Sequence, residues 1–251
     1  MNVCFNGCSF TEGDGFQPDQ RKDYIYDRLL EKEFKFNRFN IAQTGSSNYT
    51  IFMRSASAIM SKQYNCVVTQ WTALNRIWLS PGPGATFFVN DVLPEFNYRN
   101  IQLNAEEKRV FKNTLLLLNG DYNNIVDLIE YSKILESLAN LCNVKIVFIN
   151  GLVPWTNDLI QPLESALNKS LSEYSKSMLD FDTRDDVEII EFFQQLQSCF
   201  ATLNQTHWVN LFDSFLKNTK DTGPLGHHPG IISHQWMANK TANFLIENNI
   251  L

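Results

Sequence analysis

The chain has 251 residues, is 44% hydrophobic and 19% charged, and carries a formal net charge of −6. That length can bury a sizeable core in one large α/β domain or two small ones, and an aromatic content of 13% excludes a disordered chain. No Lys/Arg block is present to neutralise phosphates, so no nucleic-acid partner is expected; no apolar stretch approaches the roughly 20 residues that span a bilayer.

In chain order, Val3–Phe5 forms a first strand within Asn2–Asn6, and a helix follows over Tyr24–Glu33, with Ile25, Leu29 and Leu30 at helical spacing. Phe36–Ile41 is the second strand, and Asn48–Met60 is a helix carrying Ile51, Phe52, Ala56 and Ile59. Cys66–Trp71 (CVVTQW) is the third strand. Ser80–Asn104, with SPGPG, the apolar run Thr86–Val89 and Pro94, reads as an insertion holding one hairpin. Asp121–Leu141 is a helix and Val144–Ile149 a fourth strand. Helical patterns over Leu159–Met178 and Val187–Phe200 flank the charged turn Asp180–Asp186. Ile232–Glu247 is the last helix, entered through the loop Asp221–Gly230 (DTGPLGHHPG).

The strand runs are short, apolar and rich in β-branched or aromatic residues, the mark of strands buried on both faces of a parallel sheet. Their alternation with helices predicts an α/β fold with right-handed crossovers and helices on both faces. No low-complexity linker or internal repeat divides the chain, so one domain over 1–251 is expected, with an insertion at about 80–104 after the third strand. Polar Asn2 and Asn6 interrupt the first apolar run, and no basic-then-apolar leader is present; a cytoplasmic protein is expected. Five scattered cysteines without CxxC pairs predict reduced, mostly buried thiols, and neither a disulfide framework nor a zinc site.

Functional groups of such sheets gather at the carboxyl ends of the strands. The first strand delivers Gly7-Cys8-Ser9-Phe10-Thr11-Glu12-Gly13 there. Ser9 is either a nucleophile, given a base within reach, or a cap of the turn. After the second strand, Asn40-Ile41-Ala42-Gln43-Thr44-Gly45-Ser46-Ser47-Asn48 supplies a helix cap; its Gly45 N–H and Asn48 amide are also suited to a developing oxyanion. Gln70, Thr72, Asn75 and Arg76 follow the third strand. His227-His228-Pro229-Gly230 precedes the last helix, where histidine is the usual base for a serine. His234 reads as a packing or capping residue and His207 as a structural one.

Together these blocks resemble the SGNH, or GDSL-type, hydrolase superfamily. GCSFTEG is similar to the Gly-Asp-Ser-Leu-Thr-x-Gly motif, with Cys8 for Asp and Phe10 for Leu. The segment around Gly45 and Asn48 sits where that family supplies an oxyanion-hole glycine, and His228-Pro229 is similar to its final block. The order holds over nearly the whole chain. The resemblance implies a three-layer α/β/α, flavodoxin-like fold and hydrolysis of a small-molecule or glycan ester, with a short acyl or acetyl group on a carbohydrate as one case. No cofactor or metal is implied. Ser9 would attack the ester carbonyl, His228 would take its proton, and the N–H groups of Ser9 and Gly45 with a side-chain amide would hold the oxyanion.

Two positions depart from the family pattern. In place of Gly-x-Asn-Asp the third block reads Gln70-Trp71-Thr72, which leaves Asn48, Gln70, Thr72 and Asn75 as alternative donors. Three residues before His228 stands Leu225 where the family has Asp; the nearest acid, Asp221, would have to fold back onto the imidazole, or a carbonyl would orient it. These departures frame the second expectation, a catalytically impaired binding or structural module that keeps the fold.

Overall fold

A sheet of five parallel strands carries the site. The computed structural model describes residues 1–72, 76–78, 86–88, 97–98, 101–102, 121–150, 207–210, 221, 223 and 228–250. The chain divides into two compact units. The first holds Met1–Ala73, Tyr131–Trp155 and Asn204–Leu251, and the second Leu74–Glu130 and Thr156–Leu203.

In the first unit β1 (Asn2–Asn6) lies between β2 (Asn37–Asn40) and β3 (Cys66–Trp71), with Phe5 opposite Asn40 on one side and Val68 on the other. β3 pairs with β8 (Lys145–Asn150), and β8 with β9 (Trp208–Asn210). The expected four strands are present and a fifth is added. β9 is only three residues long, too short for periodicity to reveal, and rings hold it in place: Phe148 lies 4.8 Å from Trp208 and 5.9 Å from Trp71. The chain passes from β1 to β2 on one side and then to β3 on the other. In sheets of this kind, such a reversal marks the carboxyl ends of the flanking strands, here β1 and β3, as the place where ligands bind.

Helices cover both faces. On one, α3 (Tyr26–Phe34) and α6 (Ile231–Glu247) pack Tyr26, Leu30, Met237, Ala242 and Leu245 against Val3, Phe5, Val68, Val147 and Ile149. On the other, α4 (Asn48–Ser61) buries Ile51, Ser55 and Ile59, and its Phe52 ring stacks 4.5 Å from Tyr131 of α5 (Asp121–Cys142). Ser47 starts α4 by accepting the Thr50 N–H at 3.3 Å, and Lys62 ends it in the left-handed region. The helix expected over Tyr24–Glu33 is split into α2 (Arg21–Tyr24) and α3, because Ile25 is extended and the Tyr26 N–H donates to His234 Nδ1 at 3.2 Å. α1 (Ser9–Glu12) is a single turn.

In the second unit β4 (Arg76–Trp78) pairs antiparallel with β5 (Thr86–Phe88), and β6 (Asn97–Tyr98) with β7 (Ile101–Gln102), two hairpins where the sequence suggests one. The helical patterns over 159–178 and 187–200 lie outside the described residues. No helix among the described residues is long and apolar enough to cross a membrane. Cys4, Cys8, Cys66 and Cys142 are free thiols; burial pushes Cys4 and Cys66 up to about 12, which keeps both protonated and unreactive.

Candidate active site

The exit of β1 is fixed by a buried amide. Asn6 donates through Nδ2 to the Ile51 carbonyl at 2.7 Å and to Ser55 Oγ at 2.8 Å, and its Oδ1 accepts the Gly7 N–H at 2.9 Å. Ser55 Oγ in turn lies 2.8 Å from Thr69 Oγ1 on β3. Removing the amide strands several buried partners, so Asn6→Ala is expected to destabilise the fold by about 2–3 kcal/mol in urea titrations, with the m-value unchanged. Gly7 is required by close approach: a Cβ there would meet Thr11 Oγ1 at 2.3 Å and Gln70 Cβ at 3.1 Å. The chain then turns directly into α1 and places Ser9 at its start. The Ser9 side chain is buried, and its Oγ has no hydrogen-bond partner among the described residues. Its carbonyl accepts the N–H groups of Gly13 and Asp14, both at 2.9 Å.

The β2–α4 loop is stitched to this segment. Gln43 N–H donates to the Gly7 carbonyl at 3.3 Å, Asn40 Nδ2 to the Thr11 carbonyl at 2.7 Å, and Thr44 N–H to the Glu12 carboxylate. Thr44 Oγ1 donates to Asp14 Oδ2 at 3.2 Å. Gly45 follows with φ +76, a conformation that favours glycine, yet nothing lies within 4 Å of where its Cβ would be. A substrate can approach that backbone closely. Beneath the loop, burial pushes the Asp27 carboxyl up against the opposing pull of Arg38, whose Nε sits 2.6 Å from Oδ2, and of Asn40.

Of the four donors proposed for the oxyanion, Asn48 is committed: its Oδ1 accepts the Thr72 N–H at 2.8 Å and its Nδ2 donates to the Thr72 carbonyl at 3.2 Å. That reciprocal pair clips the start of α4 to the end of β3. Gln70 accepts the Thr11 hydroxyl through Oε1, while its Nε2 is buried without a partner. The Thr72 hydroxyl is likewise buried and unpartnered. Asn75 and His227 lie outside the described residues. Trp71, at the end of β3, is fully buried and stacked on Phe148, as a core residue is.

His228 stands beside the α1 turn. Its ring meets Phe10, the residue after Ser9, edge to face at 5.6 Å; the imidazole makes no hydrogen bond to the Ser9 hydroxyl, which has none. Asp221 is placed elsewhere than at the imidazole. Its carboxylate accepts the Ile232 N–H at 2.7 Å, the Ser233 N–H at 3.0 Å and the Ser233 hydroxyl at 2.7 Å, so it caps α6. Partial burial pushes that carboxyl up, but the bonds from Ser233 and Ile232 outweigh it and hold it below the usual carboxylate range. Among the described residues, the acid facing His228 is Asp14, whose Oδ2 lies 3.9 Å from Nε2. Sequence reasoning passed over Asp14, although a carboxylate five residues after the serine was visible in it. His234 is a core residue, fully buried and stacked on Tyr26, and His207 pairs with Glu136 at 3.3 Å.

No protein-family model and no curated protein matches the sequence. Solved structures do align over nearly its whole length. A protein assigned to the G-D-S-L lipolytic family from Desulfitobacterium hafniense aligns at 11% identity and TM-score 0.45, covering 97% of this chain and 99% of its own. TesA aligns at 13% and 0.48, covering 99% of both chains. The psychrotrophic esterase EstA from Pseudoalteromonas aligns at 10% and 0.47, covering 98% of this chain and 97% of its own. Identities of this size carry no chemistry across, so the roles of residues rest on the geometry above.

Proposed function

We propose that the protein is a serine hydrolase that cleaves carboxylic esters through an acyl-enzyme on Ser9. One observation carries this reading: a buried serine hydroxyl with no hydrogen-bond partner stands at the carboxyl end of a central strand, one residue from the ring that packs against His228. A capping serine would have its hydroxyl bonded to the turn it caps. Ser9 starts α1 and makes no such bond.

In the reaction, Ser9 Oγ attacks the ester carbonyl carbon and His228 takes the hydroxyl proton. The tetrahedral oxyanion is met by the Ser9 and Gly45 N–H groups and by a side-chain donor. Thr72 supports that last role best, since its hydroxyl is uncommitted, Asn48 is tied to its backbone and the Gln70 amide is held through Oε1 by Thr11. Collapse expels the alcohol, which takes the proton from His228, and water then hydrolyses the acyl-enzyme by the same path. One such donor is worth about 2.7–4 kcal/mol of barrier in acyl transfer, so Thr72→Val is expected to lower kcat by about 10²-fold with KM little changed, as steady-state kinetics on p-nitrophenyl acetate will show. Short acyl esters, acetylated sugars among them, form the first substrate panel.

The test is a fluorophosphonate probe followed by peptide mapping. Labelling confined to Ser9, and absent in Ser9→Ala, supports the reading. The engagement of Asp221 by α6 favours the second reading, a binding module on the same fold; an unlabelled protein that still binds acetylated sugars would establish it.

A further inference from the structure

The proposed base needs a group to orient it, and the only acid in the loop before it is occupied at the helix end. We infer that Asp14 is the positioning residue for His228, so that the nucleophile and the acid come from one segment, Ser9 to Asp14, and the base alone from the other end of the chain. This rests on the hydrolase reading above and deepens it.

The pairing is built by backbone. α1 ends at Gly13 with φ +82, and the Gly13 and Asp14 N–H groups both bind the Ser9 carbonyl, which sets Asp14 at a fixed height beside Ser9. Gly15, with φ +100, passes so close to the base that a Cβ on it would sit 2.7 Å from His228 Cβ. Gly223 donates its N–H to the His228 carbonyl at 2.9 Å, and a Cβ on Gly223 would meet the Gly15 carbonyl at 2.6 Å. Two glycines thus press the 13–15 turn onto Gly223 and His228, and the carboxylate arrives at the ring by that packing. At 3.9 Å the Asp14 Oδ2 to His228 Nε2 approach is an ion-pair contact that a small movement on substrate binding would close.

Among the described residues, the charges around the pair are few. Asp14 Oδ1 accepts the Gly15 N–H at 3.2 Å and faces Arg21 Nη2 at 3.5 Å; Arg21 Nη1 also lies 3.5 Å from Glu12. Asp14 Oδ2 accepts the Thr44 hydroxyl. His234, on the α6 side, interacts through space with both Asp221 and His228. Arg21 therefore tempers the field of Asp14 at the imidazole.

The experiment compares wild type with Asp14→Asn and Asp221→Asn. His228 ring ¹⁵N shifts report its tautomer without any turnover, and p-nitrophenyl acetate kinetics report activity. Asp14→Asn is expected to change the His228 tautomer ratio and lower kcat about tenfold or more with KM within twofold. Asp221→Asn is expected to lower the melting temperature and leave the His228 ring signals in place. An unchanged His228 spectrum in Asp14→Asn, or a change in Asp221→Asn instead, overturns the assignment. Wild type that resists fluorophosphonate while its His228 spectrum still answers to Asp14 would sink the hydrolase reading alone.

Discussion

Acidification from pH 7 to pH 4 is expected to cost the fold on the order of 3 kcal/mol through His234. Its Nδ1 accepts the Tyr26 N–H, so in the folded protein the single ring proton sits on Nε2. A second proton would break that bond and charge a group with no solvent exposure. Burial accordingly pushes this histidine down to about 4; the field of Asp221 opposes the shift and that of His228 adds to it. Between about 4 and the ordinary value of 6.5 the unfolded chain binds a proton that the fold refuses. Stability is therefore full above 6.5 and is lost as pH falls toward 4. Asp27 has the opposite sign, since its raised carboxyl costs least in acid. Asp221, held low, takes away further stability only below the ordinary carboxylate value of 3.8. Urea unfolding at pH 7, 5.5 and 4 measures the sum. His234→Asn keeps an acceptor for Tyr26 without a titrating ring, so its curve should be much flatter across that window. Parallel curves for variant and wild type would remove His234 as the cause.

The sheet was legible because its strands are buried on both faces. CVVTQW is apolar enough to declare its own ends, and β3 runs over those same residues, Cys66–Trp71. What escaped was whatever depends on contacts distant in sequence. The break at Ile25 exists because a histidine more than two hundred residues away takes the Tyr26 N–H, and no local periodicity records that. β9 is three residues held by neighbouring rings. At the site, the segments around Ser9, Gly45 and Thr72 were found from strand ends alone, and hydrogen bonds do join them. The partner of the imidazole was sought in its own loop, where Asp221 is the nearest acid. A carboxylate at the mouth of a helix is drawn to the free N–H groups of that helix, and Asp221 bonds Ile232 and Ser233. Asp14 could be matched to His228 only once two glycines, Gly15 and Gly223, were seen to press their loops together.

Replacing His228 by alanine is expected to lower kcat/KM for p-nitrophenyl acetate by about 10³-fold or more. The nitrophenolate leaves without a proton, so the loss on this ester reports the removal of the Ser9 proton alone. An alkyl ester, such as an acetylated sugar, also needs a proton delivered to its departing alcohol and should lose more. The fold should hardly notice: the ring is part-exposed and touches Phe10, and the bond from Gly223 is to the backbone carbonyl, which alanine retains. A melting temperature within a few degrees of wild type is the control. The decisive arm is the double variant. If serine and histidine act as one unit, Ser9→Ala already removes the step that His228 serves, and adding His228→Ala should lower the rate no further. Losses that multiply would mean the two groups work independently, with His228 holding the substrate and Ser9 receiving its activation from elsewhere.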